Sequence, residues 1–282
     1  MMTPDNKHRI LILGASGFIG NALYKELGPY FNTFGTYHIA NKMYENNQHF
    51  FQYRVEEDDV FEILEIVKPS IIISCLRGEF HAQVIAHQHM AEYVAAHNCK
   101  IIFFSSANVF DAYSKYPSYE DDKTLSESIY GHFKIKIENM FLRLRKSKVV
   151  IVRLPMVFGT QSPRLKEIKQ HIQEKLPIEL FPNLIMNVTT DFKMTQQIHY
   201  IINRNKDGIF HLGSSDLVHH DDFIKEMVAL MTSNQVHFKQ VYTTNDDRYL
   251  AVLPKTNKLP KHLQISSAEL LEELDNYMNY KP

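Results

Sequence analysis

Arg9-Ile10-Leu11-Ile12-Leu13-Gly14-Ala15-Ser16-Gly17-Phe18-Ile19-Gly20 is the stretch that decides the fold. Arg9–Leu13 is a short, continuous apolar run, the pattern of a strand buried on both faces of a parallel sheet. Three glycines follow within seven residues, although the whole chain of 282 has only ten. They leave the strand and open a helix predicted through Asn21–Leu27, ending at Gly28-Pro29. In that context Gly14 permits the tight turn, Gly17 lets backbone approach a ligand, and Gly20 lets the helix pack closely on the sheet. The N-terminus of a helix presents unpaired N–H groups and about half a positive charge to an anion. Gly14, Ser16, Gly17, Phe18, Ile19 and Gly20 are therefore expected to hold the pyrophosphate of a dinucleotide.

Outward from this loop, strand and helix alternate. Strands are expected at Phe34–His38, Phe50–Val55, Ile71–Cys75, Lys100–Ser106 and Val149–Leu154, and helices at Val60–Val67, His81–His97 and Glu127–Lys146. The alternation predicts an α/β fold built on a doubly wound parallel Rossmann sheet. Beyond Pro155 the rhythm breaks. Helices are expected at Arg164–Glu174, Lys193–Asn203, Asp221–Met231 and from Ser266 or Ser267, with a loop around Pro177 and Pro182. Gly208-Ile209-Phe210-His211-Leu212 reads as a late strand rejoining the sheet. Residues 1–155, with 187–213 returning, are thus expected to form the dinucleotide-binding domain. Residues 156–186 and 214–282 are expected to form a smaller α/β C-terminal substrate lobe.

Composition narrows the partners. Lys and Arg number 31 against 32 Asp and Glu, so no basic field draws a nucleic acid or an anionic membrane. The apolar run near the N-terminus is too short for a signal peptide, and no later run approaches a membrane span, so a cytoplasmic protein is expected. The two cysteines, Cys75 and Cys99, lack metal spacing and read as buried free thiols. His81, His87, His89 and His97 share one predicted helix, but His87 and His89 face different sides of it, and His219-His220 are neighbours. No metal site is expected, and the histidines read as structural or solvated.

After the second strand, an acid would hydrogen-bond a ribose 2′-OH and repel a 2′-phosphate. The chain reads Thr36-Tyr37-His38-Ile39-Ala40-Asn41-Lys42, without one. NADP is favoured, with His38 and Lys42 meeting the phosphate, and NAD stays open.

The spacing Gly-x-x-Gly-x-x-Gly resembles that of the extended short-chain dehydrogenase/reductases, a family that pairs such a loop with Tyr-x-x-x-Lys on a helix and an upstream Ser or Thr. Tyr-x-x-x-Lys occurs at Tyr119–Lys123, Tyr130–Lys134 and Tyr277–Lys281. Only Tyr130 and Lys134 fall early in a long predicted helix after a strand ending in Ser105-Ser106, and i, i+4 spacing puts them on one face. Reducing a ketone by hydride transfer leaves an alkoxide that needs a proton, and an unperturbed tyrosine has a pKa near 10. A neighbouring ammonium lowers it by about 1–3 units. Tyr130 is the expected general acid, Lys134 its tuner and ribose holder, and Ser106 the donor that orients the carbonyl.

Ser105-Ser106-Ala107-Asn108-Val109-Phe110-Asp111-Ala112 further resembles the Ser-Thr-Asp-Tyr-Val-Phe-Asp-Gly signature of the dTDP-4-dehydrorhamnose reductases. Tyr119-Glu120-Asp121-Asp122, Arg153-Leu154-Pro155-Met156-Val157-Phe158-Gly159, Gly208–Leu212 and Asp191 after Thr189-Thr190 extend the likeness over nearly the whole chain. The resemblance implies an NAD(P)H-dependent oxidoreductase acting on a nucleotide-linked deoxy-keto sugar. It also implies a homodimer through the fourth and fifth helices, whose apolar faces would serve a core equally well. It places Val55, Cys75, Leu76, Arg77 and Leu154 along the cofactor and Arg77, Ser106, Asn108, Tyr130 and Arg248 along the substrate. The chain departs from the pattern in several places. Gln83 stands for the fourth-helix Asn, with His81 nearby. Cys75-Leu76-Arg77-Gly78 stands for Ala-Ala after the fourth strand. Arg54 and Val55 occupy the expected site of an Asp against adenine, and Arg248-Tyr249 stands for Arg-Pro. Two alternatives share the scaffold: a sugar-nucleotide epimerase, and a cofactor-binding regulatory subunit without catalysis. The intact Ser106, Tyr130 and Lys134 argue against the second.

Overall fold

The computed structural model describes residues 8–279. Its first half runs β1 (Arg9–Leu13), α1 (Phe18–Leu27), β2 (Asn32–Tyr37), α2 (Lys42–Glu45), β3 (Phe50–Gln52), α3 (Val60–Val67), β4 (Ile71–Ser74), α4 (Phe80–Ala96), β5 (Lys100–Ser106), α5 (Ile129–Phe141) and β6 (Val149–Leu154). There follow β7 (Met156–Phe158), α6 (Pro163–Glu174), β8 (Ile178–Leu180), β9 (Leu184–Met186), β10 (Val188–Thr190), α7 (Asp191–Asn203), β11 (Gly208–His211), β12 (Val218–His219), α8 (His220–Met231), β13 (Phe238–Gln240), β14 (Arg248–Leu250) and α9 (Ser267–Asn279).

Seven strands form one sheet in the order β11-β6-β5-β4-β1-β2-β3. Ile10 pairs with Ile71 on one side of β1 and Leu11 with Phe34 on the other, both in parallel register. The direction of winding therefore reverses beside β1, and the crevice at the strand's C-terminal end is where such sheets bind ligands. This is the doubly wound Rossmann sheet expected from the alternation. Ile10, Leu11, Ile12 and Leu13 are fully buried, which is why the strand carries no polar face.

Several boundaries move for local reasons. The third strand ends at Gln52 rather than Val55, because the Arg54 carbonyl accepts from the Glu57 and Asp58 amides and turns the chain. The fifth helix spans Ile129–Phe141 rather than Glu127–Lys146. Helix α3 starts where the Asp59 side chain accepts from the Phe61 amide and stops at Lys68, which takes a left-handed conformation.

The chain divides into two compact units, each with its own core. The first comprises the chain up to Ser105, with His132–Val152 and Ile198–Ile209. Its core packs Leu11, Leu13, Ile72, Ile101 and Phe103 with Val94, Ile137 and Phe141. Here the Lys148 ammonium closes the end of α4, donating to the carbonyls of Val94 (2.6 Å) and His97 (2.7 Å), where the helix dipole favours a cation. The second comprises Ser106–Gly131, Arg153–Gln197 and the chain from Phe210 onward. Its core packs Phe158, Leu165, Ile168, Phe223, Met227 and Leu270. Its sheets are small: β12-β9-β14, and the pairs β10·β7 and β13·β8. Among the described residues, no helix is long and apolar enough to cross a membrane.

Candidate active site

The glycine loop is walled by backbone. Gly14 has φ +85°, and a Cβ there would lie 2.7 Å from the Cys75 carbonyl oxygen. Its amide donates to Thr36 Oγ1 at 2.8 Å, and the Ser16 amide to the Thr36 carbonyl at 3.2 Å, so β2 holds the turn from beneath. Gly17 is the N-cap of α1, extended at φ −79°, with no side chain bonded over the first-turn amides and no acid in that turn. A Cβ on Gly17 would meet only the Gly14 oxygen, at 3.3 Å. The space above the helix N-terminus suits a pyrophosphate: bare amides, positive dipole and no competing carboxylate. At Gly20 a Cβ would collide with the Gly14 carbonyl, so this glycine closes the helix onto the loop backbone itself. Gly35 escaped the sequence reading. A Cβ there would sit 2.6 Å from the Ala15 Cβ and 2.7 Å from the Phe50 ring, and a glycine inside a strand is the signal for such an approach.

Beyond β2, His38 and Lys42 are both exposed, Lys42 at the start of α2, which Asn41 caps. Arg54 is held by its neighbours: Glu57 at 2.6 Å and Asp58 at 3.0 Å. The Arg54 hydrogen bond in turn holds the Asp58 carboxyl below its ordinary value. Val55 is buried. Next to it, Glu56 accepts from the Glu79 amide at 2.9 Å and so joins the loop after β3 to the loop after β4.

The segment after β4 is stapled at both ends. The Ser74 hydroxyl bonds His87 Nε2 at 2.8 Å, and His87 Nδ1 bonds the Gln83 carbonyl at 2.6 Å. Gln83 Nε2 donates to the carbonyl of Gly78 at 2.8 Å. Burial lowers the His87 pKa to about 3, so Nδ1 is the donor and Nε2 accepts from Ser74. Cys99 is buried, but Cys75 is half-buried rather than buried, because it lies in the loop where β4 has ended. Burial pushes both thiols up to about 12. Leu76 is half-buried and Arg77 exposed.

Lys134 is buried on α5. Its ammonium donates to the Phe104 carbonyl of β5 at 2.9 Å and lies 4.8 Å from the Phe103 ring centre. Burial lowers its pKa to about 8, against the pull of the Cys75 thiol and the buried Glu138 carboxyl one turn on. Tyr130 stands one turn earlier on the same helix and is exposed. Ser106 ends β5. Its hydroxyl donates to Asn108 Oδ1 at 2.9 Å and accepts from the Asn108 amide, capping a short 3₁₀ turn over Ala107–Phe110. Tyr119 lies in a loop, its amide bonded to Asp122. Lys281 of the third Tyr-x-x-x-Lys lies outside the described residues, as does the N-terminal stretch before His8.

In the second unit, buried Arg153 donates to the Glu120 carbonyl at 3.2 Å, contacts His211 Nε2 at 3.3 Å and stacks on Phe110. Burial and the Arg153 charge lower the His211 pKa to about 4. The buried Glu120 carboxylate accepts from the amides of Lys255, Thr256 and Asn257. Arg248 donates to the Asp111 carbonyl at 3.0 Å. Leu154 is buried at the end of β6. Among the described residues, no group of three or more His, Cys, Asp or Glu is placed to hold a metal.

Over 166 residues the chain is 28% identical to methionine adenosyltransferase 2 subunit beta of Xenopus tropicalis, which covers 54% of this chain and 47% of that protein. Over 165 residues it is 28% identical to the dTDP-4-dehydrorhamnose reductase of Aggregatibacter actinomycetemcomitans, covering 54% and 52%. The matches span about half the length of these curated relatives. The solved dTDP-4-dehydrorhamnose reductase of Bacillus anthracis str. Ames, in complex with NADP, superposes with a TM-score of 0.76 over 96% of this chain and 99% of that one, at 20% identity, which is a likeness of fold. A family profile, RmlD substrate binding domain, matches residues 77–275, and the chain belongs to that family.

Proposed function

We propose that the chain is an NADPH-dependent reductase of a nucleotide-linked keto sugar, with Tyr130 as the proton donor. The observation that carries this reading is Lys134. Its ammonium is kept in an apolar setting at a cost, tethered to the Phe104 carbonyl, one helical turn after an exposed tyrosine. A charge placed there favours the phenolate of Tyr130, which is what a tyrosine acid needs near neutral pH.

Gly14, Ser16, Gly17, Phe18, Ile19 and Gly20 would hold the pyrophosphate, Lys134 the nicotinamide ribose, and His38 and Lys42 the 2′-phosphate. Val55, Cys75, Leu76, Arg77 and Leu154 would line the rest of the cofactor. When bound, the reduced nicotinamide supplies the hydride. The Ser106 hydroxyl, exchanged from Asn108 to the sugar carbonyl oxygen, orients that carbonyl. As negative charge grows on the oxygen, the Tyr130 hydroxyl gives up its proton, and Lys134 stabilises the phenolate left behind. Arg77, Asn108 and Arg248 would contact the nucleotide sugar. The likeness to the Aggregatibacter reductase and to the NADP-bound Bacillus structure supports this reading.

NADPH oxidation across a panel of nucleotide-linked 4-keto sugars tests it. Tyr130→Phe should bind NADPH within about twofold of the wild type and lose at least about a hundredfold in kcat. A Tyr130→Phe chain turning over near the wild-type rate overturns the mechanism.

One observation favours a second reading: the likeness to methionine adenosyltransferase 2 subunit beta covers as much of the chain, 54%, as the likeness to the reductase. On it, the cofactor-bound chain serves as a non-catalytic subunit. It predicts a stable complex with a methionine adenosyltransferase catalytic chain and no turnover on the whole panel.

A further inference from the structure

Asp111 follows the 3₁₀ turn that Ser106 caps, and it is buried. Its amide donates to the Asn108 carbonyl at 3.3 Å, which closes that turn. One carboxylate oxygen accepts from the Glu127 amide at 2.6 Å and the other from the Ser128 hydroxyl at 2.5 Å. Ser128 precedes α5, and its oxygen accepts from the Gly131 amide at 3.0 Å, satisfying an N–H of the first helical turn. Tyr130 lies inside that turn. Gly131 admits no side chain, since a Cβ would collide with the Asn108 carbonyl and the Ser126 hydroxyl. The turn of Ser106 and the turn of Tyr130 are therefore in backbone contact where the Asp111 carboxylate joins them. The Asp111 carbonyl accepts from Arg248 of β14. From there the two segments run on together, with the Tyr249 amide on the Ser114 carbonyl and the Ser118 amide on the Ala251 carbonyl.

We infer that Asp111 is a positioning residue: its carboxylate fixes the turn of Tyr130 against the turn of Ser106, and its carbonyl couples both to strand β14. This rests on the reductase reading above. Asp111 touches neither substrate nor cofactor in it; the residue acts by holding the proton donor and the carbonyl-orienting hydroxyl at one spacing. The charge is what the arrangement needs. Burial alone would raise the carboxyl, but the Ser128 hydroxyl, the Glu127 amide, the Ser126 hydroxyl and the nearby Arg248 hold it below its ordinary value. An ionised carboxylate accepts at both oxygens, whereas a carboxamide offers one oxygen and two N–H groups to the same donors. Misplacing a reacting group by about 1 Å can cost a hundredfold in rate.

The test uses the full chain with Asp111→Asn, Ser128→Ala and Ser128→Thr. Amide hydrogen exchange at Glu127 and Gly131 reports the tie without any turnover. NADPH titration and steady-state kinetics with the nucleotide-linked 4-keto sugar report its consequence. In Asp111→Asn, exchange at both amides should rise at least about tenfold, and kcat should fall at least about tenfold, with KM and NADPH affinity within about twofold. Ser128→Ala should follow in the same direction, and Ser128→Thr, which keeps the hydroxyl, should restore wild-type values. Unchanged exchange in Asp111→Asn overturns the inference. So does a parallel loss of kcat and NADPH affinity, or a Ser128→Thr chain as impaired as Ser128→Ala. A wild-type chain with no turnover, but with the expected exchange pattern, overturns the reductase reading and with it the catalytic consequence, leaving the tie itself in place.

Discussion

Replacing Lys134 by methionine should make the folded chain more stable at neutral pH while removing the turnover proposed above. The lysine pKa falls from 10.5 to about 8 on folding, chiefly through burial. Each unit is worth about 1.4 kcal/mol, so keeping the charge costs the folded state about 3 kcal/mol near neutrality. Methionine is of similar length and needs no solvation. It leaves the Phe104 carbonyl without this donor, a loss of about 1 kcal/mol. The net gain is about 2 kcal/mol, equivalent to several degrees in Tm for a chain of this size. The pH dependence identifies the cause. Because the folded pKa lies below the unfolded one, the unfolded chain holds the extra proton between them. The penalty is complete below the folded value of about 8 and fades as pH rises toward 10.5. The wild type should therefore recover about 2 kcal/mol relative to Lys134→Met between about pH 7 and about pH 9.5. Urea denaturation of both chains at the two pH values measures this difference directly. A variant no more stable than wild type near pH 7, or a difference that stays flat with pH, would refute the burial of a charged Lys134.

Gly20→Ala should push the first turn of α1 off the Gly14 carbonyl, lowering stability by about 2 kcal/mol and weakening NADPH binding at least tenfold in a fluorescence titration. Replacing both His38 and Lys42 by alanine should lower the preference for NADPH over NADH by about tenfold, measured as a ratio of kcat/KM, with NADH kinetics little changed. Glu120→Gln should cost about 1–3 kcal/mol, because the carboxylate serves three amides of the 255–257 segment. Burial opposes the Glu120 charge, but those amides hold its carboxyl below the ordinary 4.5. Its stabilisation is thus present above that value and lost as pH falls through the folded one, so Glu120→Gln should flatten the acid limb of a stability–pH curve.

What can be read in this sequence is what is local. Val60–Val67, Lys100–Ser106 and Val149–Leu154 are legible to the residue, since a left-handed Lys68, the capping Ser106 and Pro155 end the three runs. The three-residue strands β7 to β10 are not, because three residues hold no period, and their pairing comes from the second core. The glycine loop is legible for the same reason as the long runs: strand, turn and helix N-terminus are consecutive. The groups that tune the remaining candidates are distant in sequence. Lys134 finds its carbonyl 30 residues away, and Glu120 finds its amides 135–137 residues away. Asp111 reads as part of a motif, but its work on the first turn of α5 depends on partners 16 and 17 residues later. No pattern of residue types announces a carboxylate whose role is to satisfy backbone amides elsewhere.

Three of the departures from the reductase pattern fall in the first unit, whereas Arg248-Tyr249 lies on β14 of the second. Arg54 lies in the loop after β3, the Cys75–Gly78 segment in the loop after β4, and Gln83 at the start of α4, all in the first unit. There Glu56 bonds the Glu79 amide, and Gly78, at φ +137°, admits no side chain against Val55 and Glu56. Arg54 is neutralised within its own loop by Glu57 and Asp58, so it brings no net charge to replace the missing aspartate. His87 extends the group inward, since its bond to Ser74 anchors the strand end from which the Cys75–Gly78 loop departs. Gly78, Gln83, His87 and Ser74 are joined by successive hydrogen bonds, so changes among these four should couple. The resemblance expects an aspartate against adenine where Arg54 and Val55 stand. Restoring an aspartate at Arg54 alone would therefore free Glu57 and Asp58 to repel it.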